Sequence, residues 1–115
     1  MGDRAQIISA EDEDSEIYLY THWGGEHVPQ TLAAALDRGR SKWNDPAYLN
    51  RIIFCEMIKD DVDGETGFGI SNQYQDSSPQ TDWYVCYYGR WAGHVRIPGG
   101  QYIPFHEFVE KYLET

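Results

Sequence analysis

The sequence predicts an α+β fold, a mainly antiparallel sheet of about five strands with three helices packed on one face. Three observations carry this expectation. Bulky runs with period-two alternation stand before and after a central block, two segments inside that block repeat apolar residues at helical spacing, and a third amphipathic segment closes the chain. Turn-forming residues separate the runs, and no repeat or linker divides the 115 residues, so one domain over 1–115 is expected.

Arg4 to Ala10 reads as a short first strand. The acidic cluster Glu11-Asp12-Glu13-Asp14-Ser15-Glu16 follows, expected as a solvated loop at the tip of an antiparallel hairpin. The return strand opens the run that organises the chain, Ile17-Tyr18-Leu19-Tyr20-Thr21-His22-Trp23-Gly24-Gly25. Ile17, Leu19 and Thr21 point to one side of it and Tyr18, Tyr20 and His22 to the other, because strand side chains alternate. Both sides are mostly apolar or aromatic, which places the strand inside the sheet rather than at an edge. Gly24 and Gly25 let the backbone turn toward a helix that begins at Pro29.

Pro29 to Arg38 is rich in helix formers, with Leu32, Ala35 and Leu36 on one face and Gly39 placed to end it. Asp45-Pro46 supplies an N-cap and a first helical proline for a second helix reaching about Lys59. Its stripe of Leu49, Ile52, Ile53 and Met57 is broken only by Glu56. After the acidic turn Asp60 to Gly64, Thr66 to Ile70 reads as a glycine-containing strand, and Asn72 to Asp82 as a mobile surface loop. Trp83 to Tyr88 and His94 to Ile97 are strands joined by the turn Gly89 to Gly93. Beyond Pro98-Gly99-Gly100, a last helix starts near Pro104, with Phe105, Phe108, Val109, Tyr112 and Leu113 on its apolar face.

Nineteen acidic residues against nine basic ones give a formal charge of -10, which argues against direct binding to nucleic acid or to anionic membranes. No apolar run approaches the roughly 18 residues of a membrane span, and the N-terminus lacks a basic-then-apolar leader, so a cytoplasmic protein is expected. Met1-Gly2 suggests an acylation start, but Gln6 stands where Ser or Thr is needed. Cys55 and Cys86 lie in apolar stretches and read as buried free thiols, although spacing leaves a disulfide between helix and sheet open.

The first candidate site is His22, Trp23, Gly24, Gly25, Glu26 and His27, two imidazoles and a carboxylate near a strand end. A metal would need a third protein ligand from elsewhere, such as the Asp60 to Glu65 turn, and the spacing fits no zinc signature. Glu26 opposes an anion site at the helix start, and no Lys follows as in a phosphate-binding loop. Setting Gly64 at the sixth position of a calcium loop puts Lys59 and Ile70 where carboxylates are required, so that motif fails. A cysteine nucleophile needs a base beside it and a lowered thiol pKa, for which the sequence offers no support, so no catalytic residue, metal or cofactor is assigned. The second candidate is an interface of Trp83, Tyr84, Tyr87, Tyr88, Arg90 and Trp91, about half of which should face the helices while the rest stay exposed. Trp43, among Arg38, Arg40, Lys42 and Arg51, marks a locally basic patch that either meets an acidic partner or balances the chain's own acidic turns.

The opening Met1-Gly2-Asp3-Arg4-Ala5, with the run Ile17 to Gly25, resembles a loosely defined group of short uncharacterised bacterial and phage proteins. Those carry a Gly-Asp/Asn-Arg-Ala strand and a Tyr-Leu-x-x-His-Trp-x-Gly-Gly run, and Trp43 to Leu49 matches them more weakly. The group has no established activity, so the resemblance implies a context alone, a phage, prophage or other mobile-element setting. The functional expectation is a non-catalytic protein-binding module acting on a host protein, in its sharper form an acidic inhibitor of a nucleic-acid-handling or defence protein. The alternative is a small metal- or nucleotide-dependent enzyme centred on His22, Glu26 and His27.

Overall fold

Alternating bulky residues in Ala5–Asp12 (β1) and Ser15–Thr21 (β2) form the expected antiparallel hairpin, in the register Ala5↔Thr21 through Asp12↔Ser15. The structure, a computed structural model, describes residues 4–22, 25–75 and 81–113. The acidic cluster is not a loop. Glu11 and Asp12 end β1, Ser15 and Glu16 begin β2, and only Glu13-Asp14 turns, with the Asp14 N–H donating to Asp12 Oδ1 at 2.8 Å. Side chains make this extension possible: Asn50 donates to Glu11 Oε2 at 3.0 Å, and the Tyr18 hydroxyl donates to Glu16.

Two helices follow β2. Val28–Arg38 (α1) carries Pro29 in its first turn, where a missing N–H costs nothing, and ends at Gly39, whose N–H donates to the Ala35 carbonyl. Gly39 does not use a left-handed conformation. A Cβ there would lie 2.9 Å from Leu49 Cδ1, so glycine serves the close approach of the next helix, Pro46–Ile58 (α2). Asp45 precedes Pro46 as the N-cap residue, as expected. Glu56, which interrupts the apolar stripe of α2, receives Arg38 at 2.9 Å and Lys59 at 3.0 Å. Burial works to raise the Glu56 carboxyl, but these two cations outweigh it and hold it below the ordinary value.

Phe68–Ser71 (β3), Asp82–Cys86 (β4), His94–Arg96 (β5) and Tyr102–Pro104 (β6) complete a six-stranded sheet in the order β3-β2-β1-β4-β5-β6. The sheet is mixed rather than a five-stranded antiparallel one: β1 pairs parallel to β4, and every other pairing is antiparallel. The run Ile17 to Thr21 does lie inside the sheet, between β1 and β3. The strand missing from the sequence reading is β6, three residues closed by a proline just before the last helix, Phe105–Tyr112 (α3). Gly93 ties this corner together at φ 80°, donating to the Cys86 carbonyl and accepting from the Phe105 N–H, both at 2.9 Å.

Alternation gives the sheet two unlike faces. Ile7, Leu19, Val85, Val95 and Ile103 join side chains of all three helices, among them Leu32, Leu36, Leu49, Ile53, Phe105 and Phe108, in one buried cluster. This is the core face. The other, here the outer face, carries Gln6, Ile8 and Ala10 of β1 beside Tyr18 and Tyr20 of β2 and Asp82, Tyr84 and Cys86 of β4. Among the described residues no helix is long and apolar enough to cross a membrane.

Candidate functional site

The run Trp83 to Trp91 divides between the two faces. Trp83 meets Phe108 edge-on at 6.1 Å, and Tyr87 packs against the core cluster with its hydroxyl donating to Asn50 Oδ1 at 3.2 Å. Burial pushes the Tyr87 hydroxyl well above its ordinary pKa, so it is a structural hydrogen-bond donor. Trp43 also belongs to the core side. Its Nε1 donates to the Leu36 carbonyl at 2.8 Å and its ring meets Phe105 edge-on at 5.3 Å. The basic residues around it are mostly spent within the chain: Arg40 lies 3.1 Å from Asp37 and 5.3 Å from the Trp43 ring, Arg38 reaches Glu56, and Lys42 lies over Tyr48. Three of the seven residues expected at an interface therefore pack, partly buried, against the core cluster.

Tyr84, Tyr88, Arg90 and Trp91 gather instead on the outer face, around an open cavity of about 300 Å³. The Cys86 carbonyl and the Gly89 and Gly93 turns, at φ 70° and 80°, direct Trp91 onto Tyr102. The two rings stack at 4.1 Å with 5° between their planes, forming one wall. Arg96 of β5 lies 5.3 Å from the Tyr84 ring centre, Arg90 lies 5.0 Å from that of Trp91, and Glu16 reaches the same cavity from β2. Sequence reasoning missed Arg96, Tyr102 and Glu16, because only strand pairing brings them beside Tyr84. For Arg96 the alternation of His94-Val95-Arg96 was a usable signal, since a buried Val95 puts both neighbours on the outer face.

The cavity lacks an activated nucleophile among its described residues. Burial pushes the Cys86 thiol up to about 11, and the nearby Arg96 only partly offsets this, so the thiol is protonated at neutral pH. Burial, then the charges of Glu16 and Asp82, also raise the Tyr84 hydroxyl. The opposite end of the outer face is covered. Gln6 donates to Asp82 Oδ1 at 3.1 Å and to the Gln75 carbonyl at 3.3 Å, Tyr74 donates to Asp82 Oδ2 at 2.5 Å, and the Tyr74 ring meets Tyr18 edge-on. Tyr74 and Gln75 of the expected mobile loop thus contact the sheet, Asn72 and Gln73 are exposed, and residues 76–80 lie outside the described ones.

The histidine candidate is described only in part. Trp23 and Gly24 lie outside the described residues. The His22 ring stands edge-on to Tyr20 at 5.7 Å, and the His22 backbone N–H donates to the Gly67 carbonyl. Gly25, Glu26 and His27 form a 3-10 turn before α1, with His27 Nε2 3.5 Å from Glu26 and both side chains more than two-thirds exposed. His27 borders a cavity of about 250 Å³ with Thr21, Val28, Met57 and Phe68, whereas His22 does not. Among the described residues no group of three His, Cys, Asp or Glu is placed to hold a metal. Cys55 and Cys86 are both free, and Cys55 is only half-buried, where burial had been expected.

No protein-family model matches the chain, and no curated protein or solved structure matches it.

Proposed function

We propose that this chain is a non-catalytic protein-binding module, set in a phage or prophage context and acting on a host protein through the outer face of its sheet. We infer that the three helices cover the core face, leaving the outer one for a partner. The observation that carries the reading is the division of the Trp83 to Trp91 run: rings beyond those the core takes up surround an open, arginine-bearing cavity. Large rings beside arginine are the side chains most enriched where binding energy concentrates.

The acidic residues support a sharper form, in which the module occupies a basic groove of a nucleic-acid-handling or defence protein. The register places them at two ends. Glu11 to Glu16 flank the hairpin tip, while Asp60 to Glu65 precede β3, which enters the sheet opposite Thr21 and thus at the Ala5 end. A strand of this length separates the two clusters by roughly 25 Å at about 3.3 Å per residue. The enzyme alternative at His22, Glu26 and His27 has less to support it, since the two imidazoles have different neighbours.

A pull-down from host extract tests the reading with paired variants. Wild-type protein should retain a partner that folded Tyr88→Ala and Trp91→Ala variants lose, and capture by the sharper mechanism should weaken steeply as salt rises. Equal capture by all three proteins would remove the outer face from the function.

A further inference from the structure

We propose that the outer-face cavity is a receptor for an α-amino-acid group with a large apolar side chain, whose carboxylate lies on Arg90 and Arg96 and whose N–H lies on Glu16. This rests on the reading of the outer face as the binding face and names what that face recognises.

The charges of the cavity are of both signs and stand apart. Among the described residues, no carboxylate lies within 4.0 Å of either guanidinium, although Glu16 borders the same space. In a chain of net charge -10, two arginines without an acidic partner at one cavity are a specific arrangement. Guanidinium forks match a carboxylate geometrically, and each is held over a ring, Arg96 over Tyr84 and Arg90 over Trp91. Glu16 already accepts the Tyr18 hydroxyl through Oε1, which fixes its direction and leaves its second oxygen for an incoming N–H.

Net charge selects among anions. A phosphate brings close to two negative charges into the field of an acidic protein and beside Glu16, which repels it. A zwitterion brings none in total and satisfies both poles. The stacked Trp91 and Tyr102 wall supplies apolar surface for the side chain. The volume, about 300 Å³, is at the lower end of the roughly 300–1,000 Å³ typical of small-molecule pockets and suits a single residue. A free amino acid meets both conditions, and the C-terminal residue of a peptide shares the carboxylate and an N–H donor while bringing one negative charge, roughly half of what a phosphate brings.

Titration calorimetry on the full chain, with L-phenylalanine, L-phenylalaninamide, a hexapeptide ending in free phenylalanine and its amidated form, tests this. Binding of L-phenylalanine or of the free-acid peptide is expected, with the amides at least about tenfold weaker, as the loss of a charge-assisted bond requires. A preference for the amino acid identifies a free metabolite as ligand, and a preference for the peptide identifies a partner's C-terminus. Arg90→Gln and Arg96→Gln should each reduce binding about tenfold, with circular dichroism confirming the fold. Arg96→Lys keeps the charge without the fork and should fall between. Equal binding of acids and amides, unchanged affinity in both Gln variants, or no heat with any probe at millimolar concentration would each overturn the proposal. If partner capture depends on Tyr88 and Trp91 while these probes fail, the outer-face reading survives and the amino-acid assignment does not.

Discussion

Trp83 and Tyr84 are neighbours in the chain and similar in bulk, yet they lie on opposite sides of one sheet and do different work. Trp83 leans on Phe108 within the cluster that joins sheet to helices, and Tyr84 lies under Arg96 at the edge of an open cavity. The same contrast separates Tyr87, tied to Asn50, from Tyr88, which remains 44% exposed. The core face holds its rings by burial among apolar atoms, so their loss should cost folding free energy. The cavity end of the outer face holds its rings against arginines and one another, so their loss should cost recognition instead.

The largest effect that would test this contrast is at Phe108, fully buried on α3. Phe108→Ala should lower the unfolding free energy by about 3–5 kcal/mol in urea denaturation, whereas Tyr88→Ala should stay within about 0.5 kcal/mol. Comparable losses at both positions would erase the distinction between the faces.

The covered end of the outer face should behave in between. Gln6 is fully buried and its amide bridges Asp82 and Gln75, so Gln6→Ala leaves a buried carboxylate short of a donor. A loss of about 1–3 kcal/mol is expected by the same measurement.

A smaller effect should appear at alkaline pH. The hydrogen bond to Glu16, then burial, push the Tyr18 hydroxyl up to about 12 from its ordinary 10.0. Because the folded value exceeds the unfolded one, this contribution is complete below pH 10 and is lost as pH rises toward 12. Urea midpoints should therefore fall between pH 9.5 and about 11.5, with a shallower slope in Tyr18→Phe. An identical slope in the variant would detach the outer-face tyrosine from Glu16.

The smallest effect belongs to the ion pair on the helix surface. Arg38 is half-exposed, so Arg38→Ala should cost no more than about 1 kcal/mol at neutral pH. Glu56, lowered in the fold, contributes above the ordinary carboxyl value of 4.5, and the difference between Arg38→Ala and wild type should vanish as pH falls below it.

Much of the fold was legible because local rules decide it. Pro29 and Pro46 open helices where a proline loses no hydrogen bond, and Phe105, Phe108 and Val109 bury one face of α3 as their spacing requires. The short hairpin connection made β1 and β2 antiparallel neighbours. The acidic cluster misled because charge alone suggested a loop, while Asn50 and Tyr18 supply partners that keep Glu11 and Glu16 in strands. The strand β6 was hidden because three residues ending in proline carry almost no alternation to read. Of the aromatic run, Trp83 and Tyr87 turn to the core cluster and Tyr84, Tyr88 and Trp91 line the cavity, near the even split expected; Trp43 packs on the core side, and Arg96, Tyr102 and Glu16 were not among the expected residues.

The sequence by itself determined the three helices and most of the strands, β6 and the strand ends at the hairpin tip excepted, since these follow from spacing, proline geometry and alternation along a few residues. Only the tertiary structure decided that β4 lies parallel to β1 between the hairpin and the last two strands. That pairing is a contact between residues some 76 positions apart, as Gln6 and Asp82 are, and no local pattern encodes it. It also makes the cavity, because Glu16, Tyr84, Arg96 and Tyr102 share a face only once five strands are aligned in register.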